Sequence, residues 1–290
     1  MNLSNSWLKS SLIRIPLFAV LVYAYFCAPV SLEHQAFVQT APAAAPNNLP
    51  AGPPRVVHVF VALADNQHQG IVPVPAALGN GDDPARNLYW GAAFGVRTFF
   101  KRSAEWKEVS SAPKPRPYIL ERSIFEHRAA RTILIADAYE GKEIKQALTD
   151  FFNAAAGLKS ETISLPSAPG ATSESLPPSA DLVVYVGHNG LMDFPLPLEF
   201  QNPADTNRSA IMLACASKSF FKDVFRKTGA QPLLWTTGLM APEAYTLKAA
   251  LDGWILDESK EQIRQRAAEA YSKYQKCSLA AAQGLFSNSW

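Results

Sequence analysis

The chain has 290 residues, of which 48% are hydrophobic and 18% carry a charge, and its formal net charge is +2. This composition allows a large buried core and excludes an intrinsically disordered chain. The small net charge, without any dense run of Lys and Arg, argues against nucleic acid as a partner.

The first part of the chain is typical of an export signal. Lys9 and Arg14 precede a stretch without charge, residues 15–31, which has the layout of a secretory signal peptide. Its 17 residues also reach the lower limit of about 17–25 for a membrane span. Residues 1–31 are therefore predicted to be a signal peptide or a membrane anchor, and either one places the protein outside the cytoplasm as a periplasmic, secreted or anchored protein. Residues 32–54, rich in Ala and Pro, are predicted to be a linker.

From residue 55 onward, apolar segments typical of buried strands alternate with segments typical of helices. The strands are predicted at 55–64, 131–138, 181–187, 209–215 and 231–238. The helices are predicted within 83–103, starting at Pro84 with Asp83 as its N-cap, and at 141–157, 217–229, 242–254 and 257–277. This alternation predicts one α/β domain over 55–290, with a mostly parallel sheet covered by helices on both faces. The Ser/Pro-rich segment 160–180 is predicted to be a loop, and its composition suggests a processing or gating segment.

Polar and reactive side chains lie at or just beyond the carboxyl ends of the predicted strands. They are Asp65 and Asn66, Asp137 and Tyr139, His188 and Asn189, Cys215 and Ser217, and Thr236 and Thr237. Ligands of open α/β sheets bind beyond the carboxyl ends of the strands, and neighbouring strands lie about 4.8 Å apart. His188 and Cys215 are therefore predicted to approach each other at one edge of the sheet. Cysteine hydrolases use a cysteine with a histidine base, and a helix that follows the cysteine favours the thiolate through its N-terminus.

Two short blocks carry a family resemblance. The block "LVVYVGHNG" resembles the histidine block of the caspase–hemoglobinase superfamily of cysteine peptidases, which includes caspases, metacaspases, legumain, clostripain and gingipains, and "AIMLACAS" resembles its cysteine block. The segment "VHVFVALADNQHQG" is similar to the opening strand of those peptidase domains, so the resemblance spans about residues 55–240 in layout. Asn189 stands where the family usually has glycine, and Leu213 stands where metacaspases have Asp.

The resemblance implies a caspase-like three-layer sandwich and an exported cysteine endopeptidase that acts on peptide or protein substrates through an acyl-enzyme. It makes Cys215 the nucleophile and His188 the general base and acid, with an oxyanion hole formed by the backbone amides of Cys215 and Asn189. No cofactor is implied. No metal site is predicted either, because His68 and His127 have no partners at metal-ligand spacing.

Four further residues are predicted to contact the substrate, namely Asp65, Asn66, Asp193 and Thr237. An acidic pocket built from Asp65 or Asp193 would favour Arg or Lys before the cleaved bond. For Asp65 and Asn66, a role as ordinary turn residues stays equally open.

Other functions remain open on the sequence. A non-catalytic α/β binding module, or an inactive pseudo-peptidase, could use the same cleft, whereas an α/β-hydrolase lacks its Gly-x-Ser-x-Gly motif. Outside the cytoplasm, Cys215 and Cys277 would be expected to form a disulfide, and a free Cys215 thiol is the alternative that a peptidase requires.

Overall fold

A computed structural model describes residues 52–158, 163, 175–176, 179–200 and 208–290. The predicted leader 1–31, nearly all of the predicted linker 32–54 and most of the segment 160–180 lie outside the described residues. Within the described residues, no helix has both the length and the apolar character needed to cross a bilayer.

Eight strands among the described residues form one sheet. They are, in chain order, β1 (Arg55–Ala62), β2 (Trp106–Arg116), β3 (Ile119–His127), β4 (Thr132–Tyr139), β5 (Leu182–Val186), β6 (Ser209–Leu213), β7 (Gln231–Thr236) and β8 (Phe286–Ser287). Their order across the sheet is β2-β3-β4-β1-β5-β6-β7-β8. The five central strands β4, β1, β5, β6 and β7 are parallel, and these are the five strands that the sequence predicts. Antiparallel strands extend the sheet at both edges.

Six α-helices in the described residues cover the two faces of this sheet. They are α1 (Val96–Arg102), α2 (Ile144–Ala155), α3 (Ser217–Arg226), α4 (Ala244–Ile255), α5 (Lys260–Gln275) and α6 (Leu279–Leu285). Alternate residues of each central strand point to opposite faces, so that Val59 joins the core beneath α1, α4 and α5, whereas Phe60 joins the core beneath α2 and α3. The predicted α/β fold, with a mostly parallel sheet and helices on both faces, is confirmed.

The sequence missed several elements and misplaced one helix. The hairpin β2–β3 escaped prediction because β2 contains Pro113 and Pro115, which a strand tolerates only at the edge of a sheet or at a bulge. Elements α6 and β8 were not predicted either. The helix predicted from Pro84 is wrong, since the chain forms turns until α1 begins at Val96. The Asn87 side chain holds these turns in place by bonding to both the amide and the carbonyl of Ala64, just after β1.

A charged cluster is buried within the sheet itself. Asp137 does not follow a strand, as its position in the sequence suggested, but lies inside β4 and is fully buried. Its carboxylate accepts two hydrogen bonds from Arg122 of β3, at 2.6 and 2.8 Å, and lies 2.8 Å from the His58 ring of β1. Burial alone would raise the pKa of Asp137, but the contacts with Arg122 and His58 outweigh burial and hold this pKa well below its usual range.

The topology fixes where a ligand would bind. From β1, in the middle of the sheet, the chain first builds the strands on one side and then crosses to β5 on the other side. Open α/β sheets bind ligands at such a reversal, beyond the carboxyl ends of the strands. The ends of β1, β5 and β6 therefore form the natural site of this fold.

Candidate active site

His188 and Cys215 occupy matching positions on neighbouring parallel strands. The last residues paired between β5 and β6 are Val186 and Leu213, and the two reactive residues follow two positions later on each strand. The Gly187 amide extends the ladder by donating to the Leu213 carbonyl at 3.2 Å. The strand register thus places both residues at the same edge of the sheet, as the sequence predicts.

A glycine before the histidine is required by the backbone. Gly187 has φ +151°, which L-residues rarely adopt, and a β-carbon there would lie only 2.9 Å from the Ala62 carbonyl oxygen. The end of β5 therefore lies against the end of β1 directly before His188.

The His188 ring is held by a carboxylate. Its Nε2 lies 2.7 Å from Asp193 Oδ2, and only 7% of the residue is exposed. The same Asp193 oxygen accepts a hydrogen bond of 3.0 Å from the Gly70 amide, and a β-carbon at position 70 would collide with the carboxylate. Asp193, predicted to contact substrate, is therefore the partner that orients His188.

This pairing determines which ring nitrogen is available as a base. An ionised carboxylate only accepts hydrogen bonds, so Nε2 carries the proton when it faces Asp193. Nδ1 is then the unprotonated nitrogen that can accept a proton from a thiol. The arrangement of a base oriented by a third group is the one used by nucleophilic hydrolases.

The Cys215 thiol is half-buried and contacts the backbone after β7. Its Sγ accepts a hydrogen bond of 3.4 Å from the Met240 amide and lies 3.5 Å from the Met240 carbonyl oxygen. Burial raises the pKa of Cys215, and the amides of Met240 and of Cys215 itself offset that rise only in part. The N-terminus of helix α3 was expected to lower this pKa, but burial has the larger effect. Among the described contacts, no hydrogen bond joins Sγ to the His188 ring.

The turn that carries Cys215 is sharp and strained. Ala216, the residue between the cysteine and α3, has left-handed dihedral angles of φ 47° and ψ 34°, a conformation that costs a non-glycine residue about 1–2 kcal/mol. It is secured by a hydrogen bond of 2.7 Å from its amide to Gly238 and by the buried Ser217 hydroxyl, which donates to Met212. Strain of this kind concentrates at functional sites.

Asn189 joins the histidine loop to the cysteine loop. Its side chain is fully buried and donates a hydrogen bond of 2.6 Å to the Cys215 carbonyl, while its Oδ1 accepts from the Leu191 amide. Its φ of −82° is not left-handed, so this position uses asparagine for its side-chain bonds and not for backbone freedom. Among the described residues, the Asn189 amide donates no hydrogen bond to another residue, and the Cys215 amide interacts with its own Sγ.

The remaining predicted substrate contacts serve their own loops. Asp65 accepts hydrogen bonds from the amides of Gln67 and His68 and lies 2.9 Å from the His68 ring. Asn66 bonds to both backbone groups of Val74, and the Thr237 hydroxyl donates to Gly284 at 2.8 Å. For Asp65 and Asn66 these bonds match the alternative of turn residues.

A hollow of about 330 Å³ lies beside Asp65 and is also lined by Gly79, Gly81 and Asp82. The Gly141 amide, just after β4, donates to the Gly81 carbonyl, which places this loop on the β4 side of β1. Cys215 follows β6, three strands from β4, which corresponds to about 14 Å. Neither Cys215 nor His188 is among the residues that line the hollow.

Sequence reasoning missed two contributors to the site, Gly70 and Met240. Met240 lies four positions beyond the end of β7, outside a search confined to the residues that directly follow strands. The glycine of "DNQHQG" after β1 was a usable signal for Gly70, because a glycine in a loop often marks a close approach.

Both cysteines of the described domain, Cys215 and Cys277, are free thiols, as a nucleophilic Cys215 requires. Among the described residues, no group of three or more His, Cys, Asp or Glu side chains is arranged to hold a metal ion.

Comparison of the chain with protein-family models, with curated proteins and with solved structures finds no match.

Proposed function

We propose that this protein is a caspase-like cysteine endopeptidase, exported by its apolar leader, in which Cys215 is the nucleophile and His188 the base. One observation carries the proposal. A half-buried thiol and a histidine, whose Nε2 is engaged by Asp193, follow neighbouring strands in the same register at the ligand-binding edge of the sheet.

In the proposed reaction, a peptide carbonyl enters between the two loops. Nδ1 of His188 removes the thiol proton as Sγ forms a bond to the carbonyl carbon, and the amides of Cys215 and Asn189 stabilise the oxyanion. The imidazolium then donates its proton to the leaving amine as the C–N bond breaks, which leaves a thioester. Water, deprotonated by Nδ1, hydrolyses the thioester and restores the thiol.

The environment of the thiol indicates how it is activated. Because burial raises the pKa of Cys215, the thiol is neutral at pH 7 when no substrate is bound. His188 therefore acts as a general base during attack, and a stable thiolate–imidazolium pair does not form beforehand. Substrate must also draw Sγ away from Met240, in keeping with the looser hydrogen bonds of hydrolase sites without substrate.

A non-catalytic binding module is the second candidate. It is favoured by the contact of Sγ with Met240 in place of His188, and by the raised pKa of the thiol. In this case the same sheet edge would bind a ligand without covalent chemistry.

The test compares peptide cleavage by the full chain with cleavage by three variants. We expect Cys215→Ala to abolish hydrolysis of a fluorogenic peptide mixture, and His188→Ala to lower kcat/KM by about 10²–10⁴-fold. His127→Ala is the matched control, since His127 ends β3 beside the start of β4, at the opposite end of the strands from the thiol. This variant is expected to retain activity.

Cysteine alkylation, mapped by mass spectrometry, separates the two candidates. Cleavage that survives Cys215→Ala would contradict the peptidase. Absence of cleavage, together with a Cys215 that reacts no faster than Cys277 with a peptidyl chloromethyl ketone, would favour the binding module.

A further inference from the structure

We infer that the site accepts a large apolar side chain at the substrate residue that precedes the scissile bond, an inference that rests on the proposed peptidase activity. Three large apolar side chains around the reactive pair are exposed to solvent. They are Leu239, Val72 and Met192, with exposed fractions of 74%, 72% and 44%.

Leu239 borders the thiol. It directly precedes Met240, whose amide is 3.4 Å from Sγ of Cys215. Neither backbone group of Leu239 is hydrogen-bonded to another described residue. An extended peptide can therefore pair with this backbone and place a side chain against the Leu239 side chain.

Met192 and Val72 border the histidine. Met192 directly precedes Asp193, the partner of His188, and Val72 lies two residues after Gly70, whose amide binds the same carboxylate. Two residues of extended chain span no more than about 7 Å. The backbone of Met192 thus adjoins the partner of His188, and that of Val72 lies within this reach of the Gly70 amide.

Single exposed apolar residues are ordinary on protein surfaces, but apolar residues grouped about one site indicate a binding surface. Around His188 and Cys215, the apolar groups come from the loops after β1, β5 and β7. Three separate loops that reach the reactive pair or its partner Asp193 thus each carry an exposed apolar side chain, and an apolar ligand is the matching chemistry.

The two carboxylates of the expected acidic pocket for Arg or Lys already have partners within the protein. The Asp193 carboxylate is engaged by His188 and Gly70, and the Asp65 carboxylate is 5% exposed and engaged by Gln67 and His68. The hollow beside Asp65 is not lined by His188 or by Cys215. A basic side chain next to the scissile bond would therefore share the Asp193 carboxylate with His188 and Gly70.

The experiment uses the full chain and fluorogenic peptides that differ only at the residue before the scissile bond. We expect Leu, Met and Phe at that residue to give values of kcat/KM at least about 10-fold above those for Arg, Lys and Asp. Leu239→Asp and, separately, Val72→Asp should lower kcat/KM for the apolar peptides by about 10–100-fold. Leu256→Asp is the matched control, because Leu256 is 64% exposed at the end of α4 and should leave kcat/KM unchanged.

The outcomes separate the inference from the function on which it rests. Hydrolysis that depends on Cys215 but prefers Arg, Lys or Asp would overturn the inference and leave the peptidase intact. Equal losses in Leu239→Asp and Leu256→Asp would also overturn it. If no peptide is cleaved and Cys215 reacts with neither a leucyl nor a lysyl chloromethyl ketone, the proposed function and the inference both fail.

Discussion

At the scale of single residues, one oxygen atom of Asp193 organises the candidate site. Oδ2 accepts both the Gly70 amide and the His188 ring, so it links the loop after β1 to the base. Local sequence could not reveal this, because Gly70 and Asp193 are 123 positions apart. By contrast, His188 and Cys215 were predictable, since each directly follows a run of apolar strand residues.

Replacing Asp193 tests its positioning role. Asp193→Asn keeps an oxygen that can accept from both partners, so we expect a loss of about 10-fold in kcat with little change in KM. Asp193→Ala removes the oxygen and leaves the ring free to turn, so the loss in kcat should exceed about 100-fold. The measurement is steady-state kinetics on a peptide with Leu before the scissile bond.

Asp257→Asn is the control, because it removes a carboxylate that forms an exposed ion pair with Arg55. This variant should leave kcat unchanged. Equal kcat values for Asp193→Asn and Asp193→Ala would contradict a positioning role.

The pH dependence of alkylation follows from the burial of Cys215. Because burial raises the pKa of this thiol, iodoacetamide should react with it slowly at pH 7, and its rate should rise at a pH above the ordinary thiol value of about 8.5. In denaturant, the midpoint of the curve of alkylation rate against pH should return to that ordinary value. A folded-state midpoint below about 8 would contradict the structure and indicate a preformed thiolate.

At the scale of elements, the buried cluster ties together three strands. Asp137 of β4 bonds to Arg122 of β3 and His58 of β1, so the antiparallel hairpin is attached to the parallel sheet by charge as well as by its backbone ladder. The sequence does not reveal the cluster, because the hairpin that supplies Arg122 was itself not predicted. The two prolines of β2 hid this strand, because a strand tolerates proline only at the edge of a sheet or at a bulge.

Removing one partner of the cluster should be costly. Asp137→Asn leaves the Arg122 guanidinium buried without its charged partner, and we expect a loss of about 3–5 kcal/mol in the free energy of unfolding. Asp257→Asn, which breaks the exposed pair, should cost less than about 1 kcal/mol. Urea denaturation of the three proteins is the measurement.

The cost of Asp137→Asn should also depend on pH. The folded-state pKa of Asp137 lies below its unfolded value of about 3.9, so its contribution is complete above that pH and is lost as the pH falls toward the folded pKa. The difference in the free energy of unfolding between wild type and Asp137→Asn should therefore become smaller in acid. A constant difference from pH 7 to pH 3 would contradict the ionised cluster.

At the scale of the whole molecule, the sequence predicted the five parallel strands and the two layers of helices. Dense runs of Val, Ile and Leu indicate buried strands whatever the conformation of the loops between them. What the sequence missed lies at the edges of the sheet, where patterns are weak. Strand β8 has only two residues, and it pairs with β7 at the opposite edge from the hairpin.

The last residues should stabilise this edge. Trp290 packs on Phe225 and Trp235 with ring centroids 5.7 and 5.4 Å apart, and the Trp235 ring nitrogen donates to the Ser289 carbonyl. We expect Trp290→Ala to reduce the free energy of unfolding by about 1–3 kcal/mol, measured by thermal and urea denaturation. Leu279→Ala, at a similarly exposed position, should cost less, and an equal cost would contradict a specific aromatic contact.

The hydrogen bond from Asn189 to the Cys215 carbonyl also has a dynamic consequence. Because a buried side chain of one loop is bonded to the backbone of the other, opening either loop alone breaks this hydrogen bond and adds to the free energy of opening. The amides of 188–191 and 214–217 should then exchange with deuterium as one cooperative unit, with a common opening free energy. In the proposed peptidase, the loops that carry the nucleophile and its base would thus form and open together.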